Sequence, residues 1–246
     1  MPDLAQRTAL ETASARFDLE YTTGDDGIAR DVEVALKEAV PRVERWGRFA
    51  APVSVRIHPT HDALEQAVHR IDYPWLRAWA RYDSIDMQSP RTWSLLGASH
   101  RQLVELLTHE LTHCLMYQGV AGPNDWARKS IPLWFREGMA SFTAEQGYRR
   151  PGENDLKRYL DDHPGKDPIT DGDKLYRTEN EIVYGAAHRA FAHLVRTHGE
   201  SSVVALIAAM REGLLFAEAF TRVIGVDDRA FARDFIRSIV GEAPRG

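Results

Sequence analysis

Cysteine is almost absent from this sequence, since Cys114 is the only one in 246 residues. An intramolecular disulfide framework is therefore excluded, and a metal site would have to use His and carboxylate side chains. Long basic runs are also missing, and 36 acidic residues against 31 basic ones give a net charge of -5. Nucleic acid is therefore not expected as a partner.

Long apolar runs are lacking as well. The first twenty residues carry charges throughout and contain no apolar segment typical of a secretory signal. No stretch of about 18 uncharged apolar residues occurs that could span a membrane as a helix. These absences predict a cytoplasmic protein without a membrane span, and they leave the oligomeric state open.

The first part of the chain predicts strands around one helix. Arg16–Thr22 and Val53–His58 alternate apolar and polar residues, which is the period of half-buried strands. Between them, apolar residues at helical spacing follow Asp25 and predict a helix that Pro41 kinks or restarts. A third strand is expected within Ala78–Gln88.

Helical patterns dominate from Ser99 onward. Ser99 and Gln102 form a capping-box pattern at the start of an apolar stripe that predicts a helix to about Gln118. Pro132 suits the first turn of a second helix, which Gly147 is expected to end.

A long polar stretch, 148–178, follows and is expected to hold one short helix around Asp155–Leu160. Thr178 and Glu181 then make another capping-box pattern in front of an apolar helix that Gly199 ends. Arg149 and Arg150, at the start of this stretch, are predicted to be solvated loop residues.

The string His109-Glu110-Leu111-Thr112-His113 is the strongest chemical signal in the chain. Residues four apart on a helix share one face, so His109 and His113 can reach one metal ion. Glu110 is rotated by about 100 degrees from His109, which suits a base acting on a water molecule at the metal. A catalytic zinc also needs a third protein ligand. The metzincin pattern is excluded because Met116 and Gly119 stand where it requires Gly and His.

Two segments together carry a resemblance to a known family. HELTH, with WFREGMA at residues 134–140, resembles the gluzincin branch of the zincin-like metallopeptidases, in particular the bacterial peptidase MA-like domains. YGAAHRAFAHLV at residues 184–195 and AFTRVIGVDDRAFARDFIRSI at residues 219–239 are also similar to that family. The resemblance extends from about Phe17 to Val240.

The resemblance implies an activity and a set of site residues. It implies zinc-dependent hydrolysis of a peptide bond, with Glu137 as the third ligand and Glu110 as the general base. Small residues beside Glu137 would let its helix pack closely against the HELTH helix. Tyr184 would stabilise the oxyanion, with His188 as the second choice. A peptide or protein substrate would lie along the predicted strand ending near Met87, taken as the edge of the sheet.

The fold implied is α+β and zincin-like, with a small mixed N-terminal sheet and a helical C-terminal lobe. We expect one domain over residues 1–246, with lobes at 1–97 and 98–246 and the active site at their junction.

Two departures from the family keep other functions open. The glycine-rich motif of the large gluzincin aminopeptidases is absent, and Ser141 stands where thermolysin-like enzymes carry an Asp that orients a zinc-bound His. The alternatives are a catalytically inactive zincin-fold module for binding or regulation, and a metal-free structural domain. Cys114 is expected to be a small core residue.

Overall fold

The computed structural model describes residues 4–241. These residues divide into two compact units between Trp126 and Ala127. Within the described part, the chain is α+β, with a five-stranded mixed sheet and ten α-helices. The strands are β1 (Gln6–Glu11), β2 (Arg16–Tyr21), β3 (Val53–His58), β4 (Ala78–Ala80) and β5 (Ser84–Gln88).

The helices that begin at Asp26, His100, Leu133, Glu153 and Asn180 correspond to helices predicted from the sequence. None that the structure describes is long and apolar enough to span a membrane. The helices are α1 (Asp26–Val43), α2 (His61–Val68), α3 (His100–Val120), α4 (Leu133–Thr143), α5 (Glu153–Asp162), α6 (Gly172–Leu175), α7 (Asn180–His198), α8 (Glu200–Arg211), α9 (Phe216–Ile224) and α10 (Asp228–Val240).

The first unit holds the sheet with α1, α2 and α3. The strand order is β1-β2-β3-β5-β4, with β2, β3 and β5 parallel and both outer strands antiparallel to their neighbours. The predicted strands β2 and β3 are confirmed, and they bury their apolar side chains on one face as their alternation requires. The first unit also contains α3, which follows the predicted lobe boundary at residue 97; the observed boundary lies after Trp126. That all residues form one domain stays a prediction.

The single strand expected within Ala78–Gln88 is in fact a hairpin of β4 and β5. The prediction that the strand ending near Met87 forms the sheet edge is therefore wrong. β5 bonds to β3 on one side and β4 on the other, and all five of its residues are buried. The short strand β4 occupies the edge instead, because the chain reverses between Arg81 and Ser84, where the Arg81 N–H donates to the Ser84 carbonyl at 2.8 Å.

Helix ends agree less well with the sequence than helix interiors do. α1 continues through Pro41 to Val43 as one helix, so this proline does not restart it. α4 ends at Thr143 and not near Gly147, because Glu145 takes a left-handed conformation with φ 55°. The Thr178–Glu181 capping box does not form, since α7 begins at Asn180 and the Thr178 hydroxyl donates to the Leu175 carbonyl.

The second unit is helical, and its central pair is α4 with α7. Aromatic rings fill the space around α4. Trp134 contacts Phe216, Phe220 and Phe231, while Phe135 contacts Phe191. These rings form a buried aromatic core that fixes the direction of α4 and therefore of its polar side.

Candidate metal and catalytic residues

The HELTH string lies in the middle of α3, which begins with the predicted capping box. The Ser99 side chain accepts from the Gln102 N–H, and the Gln102 side chain accepts from the Ser99 N–H. At the other end, fully buried Gln118 accepts from the N–H groups of Ala50 and Ala51 and donates to the Tyr82 carbonyl. Both ends of α3 are thus hydrogen-bonded, so the helix is held in a fixed register within the first unit.

His109 and His113 converge on this helix. Their Nε2 atoms lie 3.3 Å apart, and the two rings meet edge to face at an interplanar angle of 78°. The residues are only 8% and 6% exposed. Two imidazoles one helical turn apart therefore present one nitrogen each towards the same point.

The separation of these nitrogens fits zinc. Zinc binds imidazole nitrogen at about 2.0 to 2.1 Å in tetrahedral geometry, so two such ligands stand roughly 3.3 to 3.4 Å apart. The observed Nε2 to Nε2 distance is 3.3 Å. Because no side-chain movement is needed to meet this condition, the donor pair fits the implied ion.

An aromatic column supports the ring of His113. Tyr117, one turn further along α3, lies nearly parallel to His113 with ring centroids 5.9 Å apart and an interplanar angle of 15°. Trp126 stacks on Tyr117 at 4.0 Å. The sequence predicted neither contact. The four-residue spacing of His113 and Tyr117 was the only feature of the sequence that could have indicated the first contact. Trp126 lies outside the helix, so helical spacing could not have indicated the second.

Glu110 and Cys114 occupy other positions on the same helix. Glu110 is 7% exposed, so its carboxylate lies in a largely dehydrated environment. Cys114 is fully buried, as predicted for a core residue. Burial raises the pKa of its thiol well above the ordinary value, and the charges of Glu110 and Asp83 act in the same direction. Cys114 is therefore a neutral thiol and an inert one.

Glu137 lies on α4 in the second unit, where its neighbour Gly138 packs tightly against α7. A Cβ built on Gly138 would come within 2.4 Å of the Ala187 carbonyl oxygen and 2.7 Å of the Phe191 Cβ. The small residue was expected to allow packing against the HELTH helix. In the second unit, Gly138 instead allows the contact between α4 and α7, because only a residue without a Cβ lets these two backbones approach so closely.

Ser141 stands one turn after Glu137 and binds His188 of α7, with 3.1 Å between the hydroxyl oxygen and the imidazole Nδ1. His188 is buried, and Gly147 lies so close that an added Cβ would be 2.5 Å from its Nε2. Burial lowers the pKa of His188 from 6.5 to about 4, with Arg189 and Arg150 adding to the effect. His188, the second choice for oxyanion donor, is therefore a neutral imidazole held in place by Ser141.

Acidification is expected to destabilise the second unit through this imidazole. Because the folded pKa lies below the unfolded one, His188 stabilises the fold fully above pH 6.5, and that contribution is lost as the pH falls towards 4. Allowing for partial solvent screening, the loss is about 1 to 3 kcal/mol. Titration by NMR should give a pKa near 4 for His188, with exposed His198 as the comparison. A His188 pKa near that of a free imidazole would contradict the assignment.

Tyr184 lies one turn before His188 on α7 and is partly buried. The guanidinium carbon of Arg150 lies 5.1 Å from the centre of its ring. Arg150 was predicted to be a solvated loop residue, and this prediction is wrong. Burial lowers the pKa of Arg150, and the adjacent charge of Arg149 acts in the same direction. The carboxylates of Glu181 and Glu137 act in the opposite direction on the same group.

Comparison with known proteins finds likeness only among solved structures. No family model matches the chain. No curated protein matches it either. An M1 zinc metallopeptidase from Deinococcus radiodurans matches over 98% of this chain and 53% of its own, at 13% identity and a TM-score of 0.48. An aminopeptidase N family protein from Idiomarina loihiensis matches over 97% and 44%, at 13% identity and a TM-score of 0.44.

A mutant of the Deinococcus radiodurans enzyme bound to a Tyr-Ser-Ala substrate matches over 98% and 53%, at 13% identity and a TM-score of 0.45. The chain spans about half the length of these structures. Its structural neighbours are thus zinc metallopeptidases, and at this identity and TM-score the likeness assigns neither an activity nor a substrate to this chain.

Proposed function

We propose that this chain is a zinc-dependent peptidase of the gluzincin type. His109, His113 and Glu137 are the proposed ligands, Glu110 the general base and Tyr184 the oxyanion donor. The observation that carries the proposal is the 3.3 Å separation of the two Nε2 atoms on α3, which matches two corners of a zinc tetrahedron. Two imidazoles and a carboxylate would leave a fourth position for water, as catalytic zinc requires.

Each residue has a task that its chemistry allows. Zinc, when bound, would polarise the scissile carbonyl and make a water molecule more acidic. Glu110 would take the proton of that water and deliver it to the leaving amine, a task favoured by a carboxylate that is 7% exposed. The Tyr184 hydroxyl would donate a hydrogen bond to the oxyanion.

The sheet edge supports binding of an extended peptide. β4 is the outer strand beside β5, and it packs against α3 in the first unit. A peptide could add to this edge by main-chain hydrogen bonds, which would select an unfolded or extended segment over a folded one. The proposed substrate is therefore a peptide or a flexible protein segment.

Zinc content and cleavage test the proposal together. Protein purified without chelator should hold about one zinc per chain and cleave unfolded polypeptide, with both properties lost in His113→Ala. His100→Ala is the matched control, because exposed His100 begins the same helix and pairs with Glu38. Zinc without cleavage of a broad peptide library would favour the inactive binding module. Absence of zinc, or full zinc in His113→Ala, would overturn the metal site.

A further inference from the structure

Arg150 carries a positive charge that no carboxylate pairs with directly among the described residues. Its guanidinium is packed over the ring of Tyr184, and its one hydrogen bond runs from Nη2 to Gln146 Oε1 at 3.3 Å. Within residues 4–241, Arg150 takes part in no ion pair, and its buried Nε has no acceptor. A partly buried cation without a directly paired counter-charge is costly.

The backbone around Arg150 is held in place by contacts with α7, and this fixes the position from which its side chain extends. Pro151 lies against α7 where Gly185 lacks a side chain, and a Cβ there would meet the Pro151 ring at 2.9 Å. Arg189 of α7 donates to the carbonyl oxygens of Pro151 and Gly147, at 3.3 and 3.4 Å. The segment carrying Arg150 is thus attached to α7 on both sides of it.

The unbalanced charge lies beside the proposed catalytic residues of this unit. Arg150 contacts Tyr184 directly and interacts electrostatically with Glu137. The Arg150 Nε is buried, so a carboxylate could bind only to the two terminal nitrogens, Nη1 and Nη2, through two parallel hydrogen bonds. Arg150 would then exchange the long bond from Nη2 to Gln146 for a bond to the carboxylate. Two carboxylates near it, Glu137 and Glu181, offset its charge only from a distance.

We infer that Arg150 binds a carboxylate of the peptide substrate beside Tyr184. This inference rests on the proposed function and narrows its substrate class to peptides with a negative charge close to the scissile bond. The carboxylate can come from the C-terminus of the peptide or from an Asp or Glu side chain. Arg150 is thereby a specificity-determining residue.

Matched peptide pairs distinguish the two sources. The first pair is one random pentapeptide library with either a free or an amidated C-terminus, and the second is an amidated library with Glu or Gln at a fixed position. Dissociation constants are measured on the Glu110→Gln variant, so that no turnover is needed, and kcat/KM is measured on the otherwise unaltered enzyme. The favoured charged form should bind about 10- to 100-fold more tightly than its neutral partner.

Variants of Arg150 separate recognition from packing. Arg150→Gln should reduce the preference to within about twofold, while Arg150→Lys should keep part of it, because a lysine retains the charge but not the planar fork. Arg149→Gln is the matched control. It removes one positive charge from the adjacent, exposed position and should leave the preference intact. A role limited to supporting Tyr184 would lower kcat for both members of a pair equally.

If the peptides with a free C-terminus bind more tightly than the amidated ones, Arg150 binds the C-terminal carboxylate. If the peptides with Glu bind more tightly than those with Gln, Arg150 binds an acidic side chain. If peptides bind and are cleaved but Arg150→Gln leaves the ratio unchanged, the inference is overturned and the proposed function stands. If no peptide of either form binds, both are overturned. Unfolding temperatures of the three variants, within a few degrees of the parent, confirm that the comparison is made on folded protein.

Discussion

Replacing Glu110 by glutamine is expected to lower kcat by about 10² to 10⁴ while zinc remains bound. The amide has the size and shape of the carboxylate but cannot take a proton. Because Glu110 is 7% exposed, a solvent molecule would not easily replace it as the base. The measurement is single-turnover cleavage of an unfolded polypeptide by protein of known zinc content.

Glu105→Gln is the control for this substitution. Glu105 lies on the same helix, is also buried at 4% exposed, and pairs with Arg101 at 2.8 Å. Its amide variant should therefore cleave like the parent per folded molecule, even if it is less stable. Unchanged turnover in Glu110→Gln would show that another group is the base.

The substitution Gly138→Ala is expected to destabilise the second unit by about 1 to 3 kcal/mol. Helix propensity alone would favour alanine by about 1 kcal/mol. Here the steric cost prevails, since the added Cβ would lie 2.4 Å from the Ala187 carbonyl oxygen, an atom of a helical backbone that cannot move alone. Urea unfolding followed by circular dichroism measures the change in the free energy of unfolding.

Gly27→Ala is the control, because it is expected not to lower the free energy of unfolding in the same assay. Gly27 lies in the first turn of α1, and a Cβ built there meets no atom within 4 Å. Alanine at this position should be neutral or stabilising by up to about 1 kcal/mol. If Gly138→Ala also proved neutral, the close approach of α4 and α7 would not exist in solution.

The first unit shows how far local pattern carries a prediction. The alternation in β2 and β3 and the apolar spacing in α1 predicted these elements nearly to the residue, because each buries one face against a neighbour. The edge strand could not be predicted in this way. The segment from Ala78 to Gln88 mixes apolar and polar residues and is compatible with one strand or two, and only the pairing of β5 on both sides decides which.

Helix ends were harder to predict because they depend on partners outside the helix. Thr178 and Glu181 have the right spacing for a capping box, yet Thr178 bonds to the preceding turn. Gly147 suited a helix end by residue type, but the close approach of His188 explains its small size. Residue type indicates that a special position exists, and the tertiary neighbour decides what it is for.

The sequence by itself determined the identity of the candidate metal and base residues, since spacing within one helix suffices to align His109, Glu110 and His113. The assignment of Glu137 and Tyr184 came from resemblance and stays a proposal. Only the tertiary structure decided that the imidazole nitrogens are 3.3 Å apart, that Ser141 holds a neutral His188, and that Arg150 covers Tyr184. The physical reason is that helical periodicity fixes directions within an element, whereas burial, charge and pKa depend on residues distant in the chain.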